Sequence, residues 1–192
     1  LKQVLDMAML LGLIRSNPAL GAKLPPMGRD TMHALTAEQV AALALAIQPP
    51  YDLLVFFAAY TGLRAGEIGA LRRRHLDLER GTVLVEVSVS EVGGRLVEGS
   101  PKTYSSRRAV GLPAFLVDAF ARHLDGARPD DHVFTSPTGG PLRHGNFYSQ
   151  QFKPAVRRAL PPELHGLRFH DLRHTCAALL IAQGAHPKAI QQ

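Results

Sequence analysis

RFHDLRHTCAALL, residues 168–180, combines two histidines, an arginine and an aspartate with a run of apolar residues. The apolar side chains recur at helical spacing, which predicts a helix that buries one face in a core. The residues of that face are Leu172, Cys176, Leu179 and Leu180. Packing of this face would aim the polar side chains at one point, where they could hold either a metal ion or an anion.

A zinc site is the first interpretation. His170 and His174 are spaced as in an H-E-x-x-H helix, with Asp171 where that motif has its glutamate. An aspartate is one methylene shorter than the glutamate that such a site uses as a base, and Arg173 would repel the cation between its two ligands. No third ligand follows at a typical spacing. A zinc-dependent hydrolase therefore stays only as the third alternative.

A phosphate site is the second interpretation. His170 and Arg173 are neighbours on the first turn of the helix, three residues apart. They would present a proton-transfer group and a planar guanidinium fork to the same point, and helix N-termini favour anions. Surface turns also contain H-x-x-R by chance, so this interpretation depends on further basic residues elsewhere in the chain.

Two earlier blocks supply such residues. In TGLRAGEI, Arg64 follows a helix that Gly62 stops, and Glu67 is placed either to brace Arg64 or to cap the next helix. In PKTYSSRRAVGLP, Lys102 lies at the edge of a β-rich segment. A hairpin tip there could reach into a groove and deliver a proton from the ammonium group.

Composition points to a polyanionic partner. Lys and Arg outnumber Asp and Glu by 22 to 16 in 192 residues, which gives a net charge of +6 and a pI near 9.9.

The single cysteine, Cys176, excludes an intrachain disulfide and indicates a reducing compartment. Apolar runs are shorter than the ~20 residues of a membrane span, and no signal-peptide pattern opens the chain. A cytoplasmic protein without a membrane segment is expected.

The order of predicted elements indicates one main domain. LKQVLDMAMLLGLI predicts a helix, and the proline-rich stretch after it predicts a linker, so residues 1–30 resemble the tail of a preceding domain. At LTAEQV, Thr36 and Gln39 predict a capping box that begins the domain at residues 31–192. Helices, three β-rich segments with a Gly93-Gly94 turn, and further helices then follow. The expected class is mostly α with a small antiparallel β-sheet, or α+β.

Together these blocks resemble the tyrosine recombinase, or phage integrase, family over roughly residues 31–192. TGLRAGEI is similar to the family's first arginine block, PKTYSSRRAVGLP to its β-hairpin lysine, HVFTSPTGGPL to an interior segment and FHDLRHT to its H-x-x-R box. MLLGLIRSNPA resembles the last helix of the family's N-terminal core-binding domain. The resemblance implies the family's catalytic-domain fold for residues 31–192, incomplete at its C-terminus, preceded by that helix and linker in residues 1–30.

The resemblance also implies a function. Family members cleave and rejoin DNA strands through a 3′-phosphotyrosyl intermediate and need no metal or other cofactor. Carried over residue by residue, the catalytic positions are Arg64, Lys102, His170 and Arg173, with Glu67 in support. Contacts with DNA are expected from four further residues: Thr103, Arg107, Arg143 and Lys153. The implied partner is double-stranded DNA at attachment or recombination sites.

The nucleophile is the main departure from the family pattern. In the family, a second histidine or tryptophan and then the nucleophilic tyrosine follow the H-x-x-R box. All four tyrosines of this chain precede the box, so they are expected to be packing or hairpin residues: Tyr51, Tyr60, Tyr104 and Tyr148. We therefore expect this chain to be inactive alone and monomeric, and the full-length enzyme to act as a homotetramer on DNA. A non-catalytic DNA-binding relative is the second alternative.

Overall fold

A computed structural model describes residues 1–22, 32–99 and 107–185. The chain divides into two compact units, Leu1–Thr31 and Met32–Gln192. The first unit contains helix α1, Lys2–Leu10. Asn17 is buried beside this helix and donates hydrogen bonds to Asp6 Oδ1 at 2.6 Å and to the Lys2 carbonyl at 3.3 Å. The helix is shorter than predicted because Gly12 follows with a φ of +70°, a left-handed conformation that favours glycine.

The second unit is mostly helical. Its helices are α2 Ala37–Leu45, α3 Tyr51–Thr61, α4 Ala65–Gly69, α5 Ala114–His123, α6 His144–Phe147, α7 Lys153–Ala159 and α8 Asp171–Ala182. A π-helical turn, Tyr148–Phe152, joins α6 to α7, and 3-10 turns occupy Arg73–His75 and Pro162–Leu164. The capping box of α2 is present, because the Thr36 hydroxyl accepts from the Gln39 N–H at 3.2 Å and Gln39 Oε1 accepts from the Thr36 N–H at 2.9 Å.

Two small antiparallel sheets complete the unit. Strands β1 (Leu76–Asp77), β2 (Thr82–Val85) and β5 (Arg108–Gly111) form one sheet, and β3 (Ser88–Val92) and β4 (Arg95–Gly99) form a hairpin. Strands β2 and β5 pair in a register that sets Val83 opposite Val110 and Val85 opposite Arg108. The stretch GTVLVEVSVS, residues 81–90, divides between the two sheets, with β2 in one and the start of β3 in the other. The predicted class, mostly α with a small antiparallel sheet, is confirmed.

Helix α3 is the centre of the core. It packs against α2, α5 and α8, which explains why its sequence is apolar nearly all round. Phe57 of α3 contacts Phe120 and Phe134, with ring centroids 5.1 and 6.1 Å away. Within the described residues, no helix is long and apolar enough to cross a membrane. The packing of α8 on α3 brings the end of one helix close to the start of the other.

Candidate functional site

The site is built at the corner between α3 and α4. Gly62 ends α3 in the left-handed conformation, with a φ of +64°, and its N–H donates to the Ala58 carbonyl at 3.1 Å. Thr61 stiffens the same turn, since its hydroxyl donates to the Phe57 carbonyl at 2.6 Å. Arg64 follows as the N-cap residue of α4, with a side chain that is 57% exposed. A rigid corner therefore carries an accessible guanidinium.

Glu67 lies beneath this arginine and is buried. Its Oε2 accepts from the Arg64 N–H at 2.8 Å, and its Oε1 accepts from Arg64 Nη1 at 3.0 Å. Sequence reasoning left open whether Glu67 braces Arg64 or caps α4, and the structure shows both. Arg108 on β5 also binds both carboxylate oxygens, at 3.1 and 2.9 Å.

The charge state of Glu67 follows from these contacts. Burial raises the pKa of Glu67, but the hydrogen bonds from Arg108 and Arg64 and the charge of Arg108 together lower it below its ordinary value. The group is therefore a carboxylate at neutral pH, so the cluster keeps one negative charge among its guanidinium groups.

Arg173 enters the same cluster from α8. Its Nη1 donates to the Gly62 carbonyl, which ties the H-x-x-R helix to the end of α3. Burial lowers the pKa of Arg173, and so do the charges of Arg64 and Arg108. The three guanidinium groups are thus close enough to repel one another. Among the described residues of this cluster, the guanidinium charges outnumber the single Glu67 carboxylate, and this excess of positive charge favours an anion.

His170 stands at the N-cap of α8 and is exposed. Its ring lies 5.4 Å from that of His174, nearly perpendicular to it at 85°. Burial of part of the ring and the nearby charges of His174 and Arg173 lower the pKa of His170 below its ordinary value. The imidazole is therefore neutral at pH 7 and able to accept a proton.

The zinc interpretation is not favoured by the position of Asp171. This carboxylate is fully buried and accepts from the Arg168 N–H at 2.8 Å and from Arg168 Nη2 at 3.1 Å. It holds the turn before α8 and is already occupied by Arg168. Within residues 1–22, 32–99 and 107–185, no group of three or more His, Cys, Asp or Glu side chains could hold a metal ion.

The other predicted site residues lie on several elements. Lys102 and Thr103 fall outside the described residues, as does Tyr104. Arg107 precedes β5, and its Nη2 donates to Glu86 Oε2 at 2.8 Å. Arg143 precedes α6 and binds the β3–β4 hairpin, with 2.6 Å to Glu91 Oε1 and 2.9 Å to the Gly94 carbonyl. Lys153 is exposed at the start of α7.

The three described tyrosines are used in packing. The Tyr51 hydroxyl donates to the Thr135 carbonyl at 2.8 Å. The Tyr60 ring meets Phe115 edge to face at 5.1 Å, and the Tyr148 ring stacks on Phe152 at 5.8 Å.

Sequence reasoning missed the particular role of Arg108. A signal was present in the strand pattern. Arg108 and Val110 alternate on the half-buried face of β5, whereas Arg107, Ala109 and Gly111 are exposed. An arginine in the inward register of a strand needs a buried counter-charge, and Glu67 provides it.

Most of this chain matches a known protein family. The model of the Phage integrase family matches residues 33–192. The chain is 29% identical over 197 aligned residues to the integrase of Mycobacterium phage L5, covering 99% of this chain and 52% of that protein. It is 28% identical to the tyrosine recombinase XerC of Xanthomonas axonopodis, covering 94% of this chain and 56% of that protein. The chain thus spans about half the length of the curated relatives that it matches.

A solved structure has a similar fold. The Tn1549 transposon integrase, in complex with transposon right end DNA, superposes with a TM-score of 0.79 at 24% identity, covering 99% of this chain and 66% of that one. At that level of identity, the similarity concerns the fold of the chain.

Proposed function

The chain belongs to the phage integrase family, and from this premise we propose that the complete gene product cuts and rejoins DNA strands at specific recombination sites. The observation that carries the proposal is the cluster of guanidinium groups at one corner, where Arg64 and Arg108 bind the buried Glu67 carboxylate and Arg173 binds the nearby Gly62 carbonyl. Relatives named integrase and tyrosine recombinase, and a fold neighbour bound to transposon DNA, support the same function.

Arg64 and Arg173 are the proposed phosphate ligands. Strand cleavage by a tyrosine proceeds through a transition state in which negative charge builds on the non-bridging phosphate oxygens. A guanidinium can bind two such oxygens through its fork, whereas an ammonium acts as a point charge. Two arginines fixed on different helices would therefore stabilise the transition state from two sides.

His170 is the proposed base for the attacking tyrosine. A tyrosine with an ordinary pKa of about 10 is ionised at neutral pH only at a cost of roughly 4 kcal/mol. A neutral imidazole at the helix N-terminus can take the phenolic proton as the tyrosine oxygen bonds to phosphorus. The lowered pKa of His170 keeps the ring in this accepting form. We assign the attacking role to none of Tyr51, Tyr60 and Tyr148, because each is engaged in packing.

Lys102 is the proposed acid. As the phosphotyrosyl bond forms, the bond to the 5′-oxygen breaks, and the leaving alkoxide needs a proton. The ammonium of Lys102 would supply it, and the same proton returns when the strand is rejoined. The bond energy stays in the phosphotyrosyl link, so the cycle needs no external energy source.

Further DNA contacts are proposed for Thr103, Arg107, Arg143 and Lys153. Arg107 and Arg143 already pair with carboxylates, so a phosphate would have to displace or share those partners. Salt would weaken the contacts of the three basic residues, since each basic side chain that binds DNA releases counterions.

The domain assignment and the assembly are also proposals. Residues 1–30 would be the last helix of a core-binding domain with its linker, and residues 31–192 the catalytic domain. The division into two compact units supports this assignment. A homotetramer on two DNA duplexes, acting in the cytoplasm, is the proposed working form of the complete protein.

The test of the function uses the complete gene product that contains this chain. A labelled duplex with the presumed site is incubated with the protein in EDTA, and a protease-sensitive covalent adduct is measured. We expect an adduct in the wild type and a loss of about 100-fold or more in Arg173→Ala, because a transition-state ligand is removed. Arg122→Ala, an exposed arginine on α5, is the matched control and should retain the adduct.

Each other outcome has a definite meaning. Tight, specific binding without an adduct would indicate a non-catalytic DNA-binding relative. An adduct that only appears when a divalent metal replaces EDTA would contradict metal-free tyrosine transfer.

A further inference from the structure

Glu67 accepts more hydrogen bonds than an orienting carboxylate requires. Its side chain is 3% exposed, and it accepts from the backbone and side chain of Arg64 and from both terminal nitrogens of Arg108. A carboxylate has about four lone-pair positions, so these four donors saturate it. Two of the four hydrogen bonds come from the guanidinium fork of Arg108, that is, its Nη1 and Nη2. Neither the capping of α4 nor the bracing of Arg64 explains why Glu67 accepts these two bonds.

The fork determines what Arg64 can do. A carboxylate whose only partner is one arginine binds both terminal nitrogens of that arginine. This contact would neutralise the charge of the arginine and occupy two of its hydrogen-bond donors. In this structure, Arg108 occupies that geometry. Within the described residues, the Arg64 guanidinium reaches Glu67 through Nη1 alone. Its side chain is 57% exposed, whereas that of Arg108 is 25% exposed. Arg64 therefore keeps both charge and accessible donors.

The same fork joins two elements of the described fold. Arg108 begins β5, and Glu67 belongs to α4. Strand β5 also pairs with β2, and Val85 stands opposite Arg108. The Arg108–Glu67 pair thus anchors β5 to the helix that carries Glu67.

We propose that Arg108 is a positioning residue for strand cleavage: it binds Glu67 through its fork and so leaves Arg64 available to the DNA phosphate. This inference rests on the proposed function. Arg108 acts through Glu67 and Arg64 in this scheme and need not touch the phosphate itself.

A double-mutant cycle in the complete gene product tests the proposal. Single-turnover cleavage is measured for the wild type, Arg108→Ala, Glu67→Gln and the double variant, with Arg122→Ala as the control. We expect Arg108→Ala to slow cleavage about 100-fold, because Glu67 then takes the fork of Arg64 and misplaces it. In the Glu67→Gln background, where no charge competes for Arg64, the same change should cost less than about fivefold. DNA affinity should change less than about threefold.

The pH profile adds a measurement that a purely structural role would not change. In Arg108→Ala, Glu67 loses its main partner, and protonation of Glu67 would release Arg64. Without Arg108, less opposes the effect of burial, so the pKa of Glu67 is higher in the variant than in the wild type. The ratio of the variant's rate to the wild-type rate should therefore rise as the pH is lowered from neutral. If Arg108→Ala fails to fold, Arg108→Lys replaces it in the cycle. It keeps the charge but loses the fork, and we expect a loss of about tenfold.

Adduct formation by the wild type distinguishes a failure of this inference from a failure of the proposed function. An active wild type in which Arg108→Ala has the same effect in both backgrounds, or no effect, overturns the positioning role. A wild type that forms no adduct with its own site contradicts the proposed function, and the positioning role falls with it.

Discussion

At the scale of single residues, the site depends on two acceptor groups that are not among the proposed catalytic groups. The Glu67 carboxylate orients Arg64 and Arg108, and the Gly62 carbonyl accepts from Arg173. Both acceptors sit at the same corner of the chain. Small displacements of this corner would therefore move both proposed phosphate ligands together.

Gly62→Ala tests this dependence. The residue has a φ of +64°, and an added Cβ would lie 3.4 Å from the Cβ and Sγ of Cys176. We expect a loss of about 1 kcal/mol or more in the free energy of unfolding, measured by urea denaturation, because an L-residue is strained there. Adduct formation should fall as well, since the carbonyl that holds Arg173 shifts.

Gly126→Ala is the matched control for this change. Gly126 also has a positive φ, at +70°, but nothing lies within 4 Å of its added Cβ. It should show a similar loss of stability with an unchanged amount of adduct. Equal losses of adduct in the two variants would contradict the positional role of Gly62.

At the scale of elements, the β3–β4 hairpin and α4 fit closely. The hairpin lies on the helix at its two glycines, Gly66 and Gly69. A cavity of about 250 Å³ remains beside this contact, lined by residues of α4, the hairpin and α6. Arg143 joins the hairpin to the start of α6 through Glu91. The hairpin thus limits the movement of the short helix that carries Glu67.

Gly66→Ala tests the closeness of this contact. An added Cβ would lie 2.5 Å from the Val89 carbonyl oxygen and 2.7 Å from Ser88 Oγ, so the hairpin backbone must move. We expect the midpoint of urea denaturation to fall by an amount that corresponds to about 1–3 kcal/mol. Gly145→Ala, in α6, has no atom within 4 Å of the new Cβ and should be close to neutral. An unchanged midpoint in Gly66→Ala would show that the hairpin is free to move away.

At the scale of the whole second unit, a buried hydrogen bond joins the segment before α2 to helix α8. The Leu35 N–H donates to Thr175 Oγ1 at 3.1 Å, and the Thr175 hydroxyl donates to the Asp171 carbonyl at 3.0 Å. Thr175 is fully buried on α8. The segment before α2 therefore stabilises the helix that presents His170 and Arg173.

Thr175→Val measures the contribution of this bond. Valine has nearly the same shape but leaves the Leu35 N–H without its acceptor, which costs about 1–3 kcal/mol for a buried donor. We expect a single cooperative unfolding transition at a lower urea concentration. Thr138→Val, at an exposed position, is the control and should leave the transition unchanged. A Thr175→Val protein as stable as the wild type would show that water or another group replaces the acceptor.

Much of this molecule could be predicted from local sequence patterns. Four features that depend on neighbours a few residues away are all present: the capping box of Thr36, the left-handed end of α3 at Gly62, the apolar helix α3 itself and the helix after His170. The family resemblance likewise rests on short blocks in a fixed order. Such features are local because capping, turn conformation and helical periodicity involve contacts within one or two turns.

Only the tertiary structure decided how Glu67 shares its bonds, that Arg108 faces it, and that Arg173 reaches the Gly62 carbonyl. These pairs are 41 and 111 residues apart in the sequence. The sequence alone determined which charged residues were available and on which elements they stood. Their pairing required the packing of α8 on α3 and of β5 beside α4. A buried charge is unfavourable unless it is paired, and packing decides which partner lies within hydrogen-bond distance.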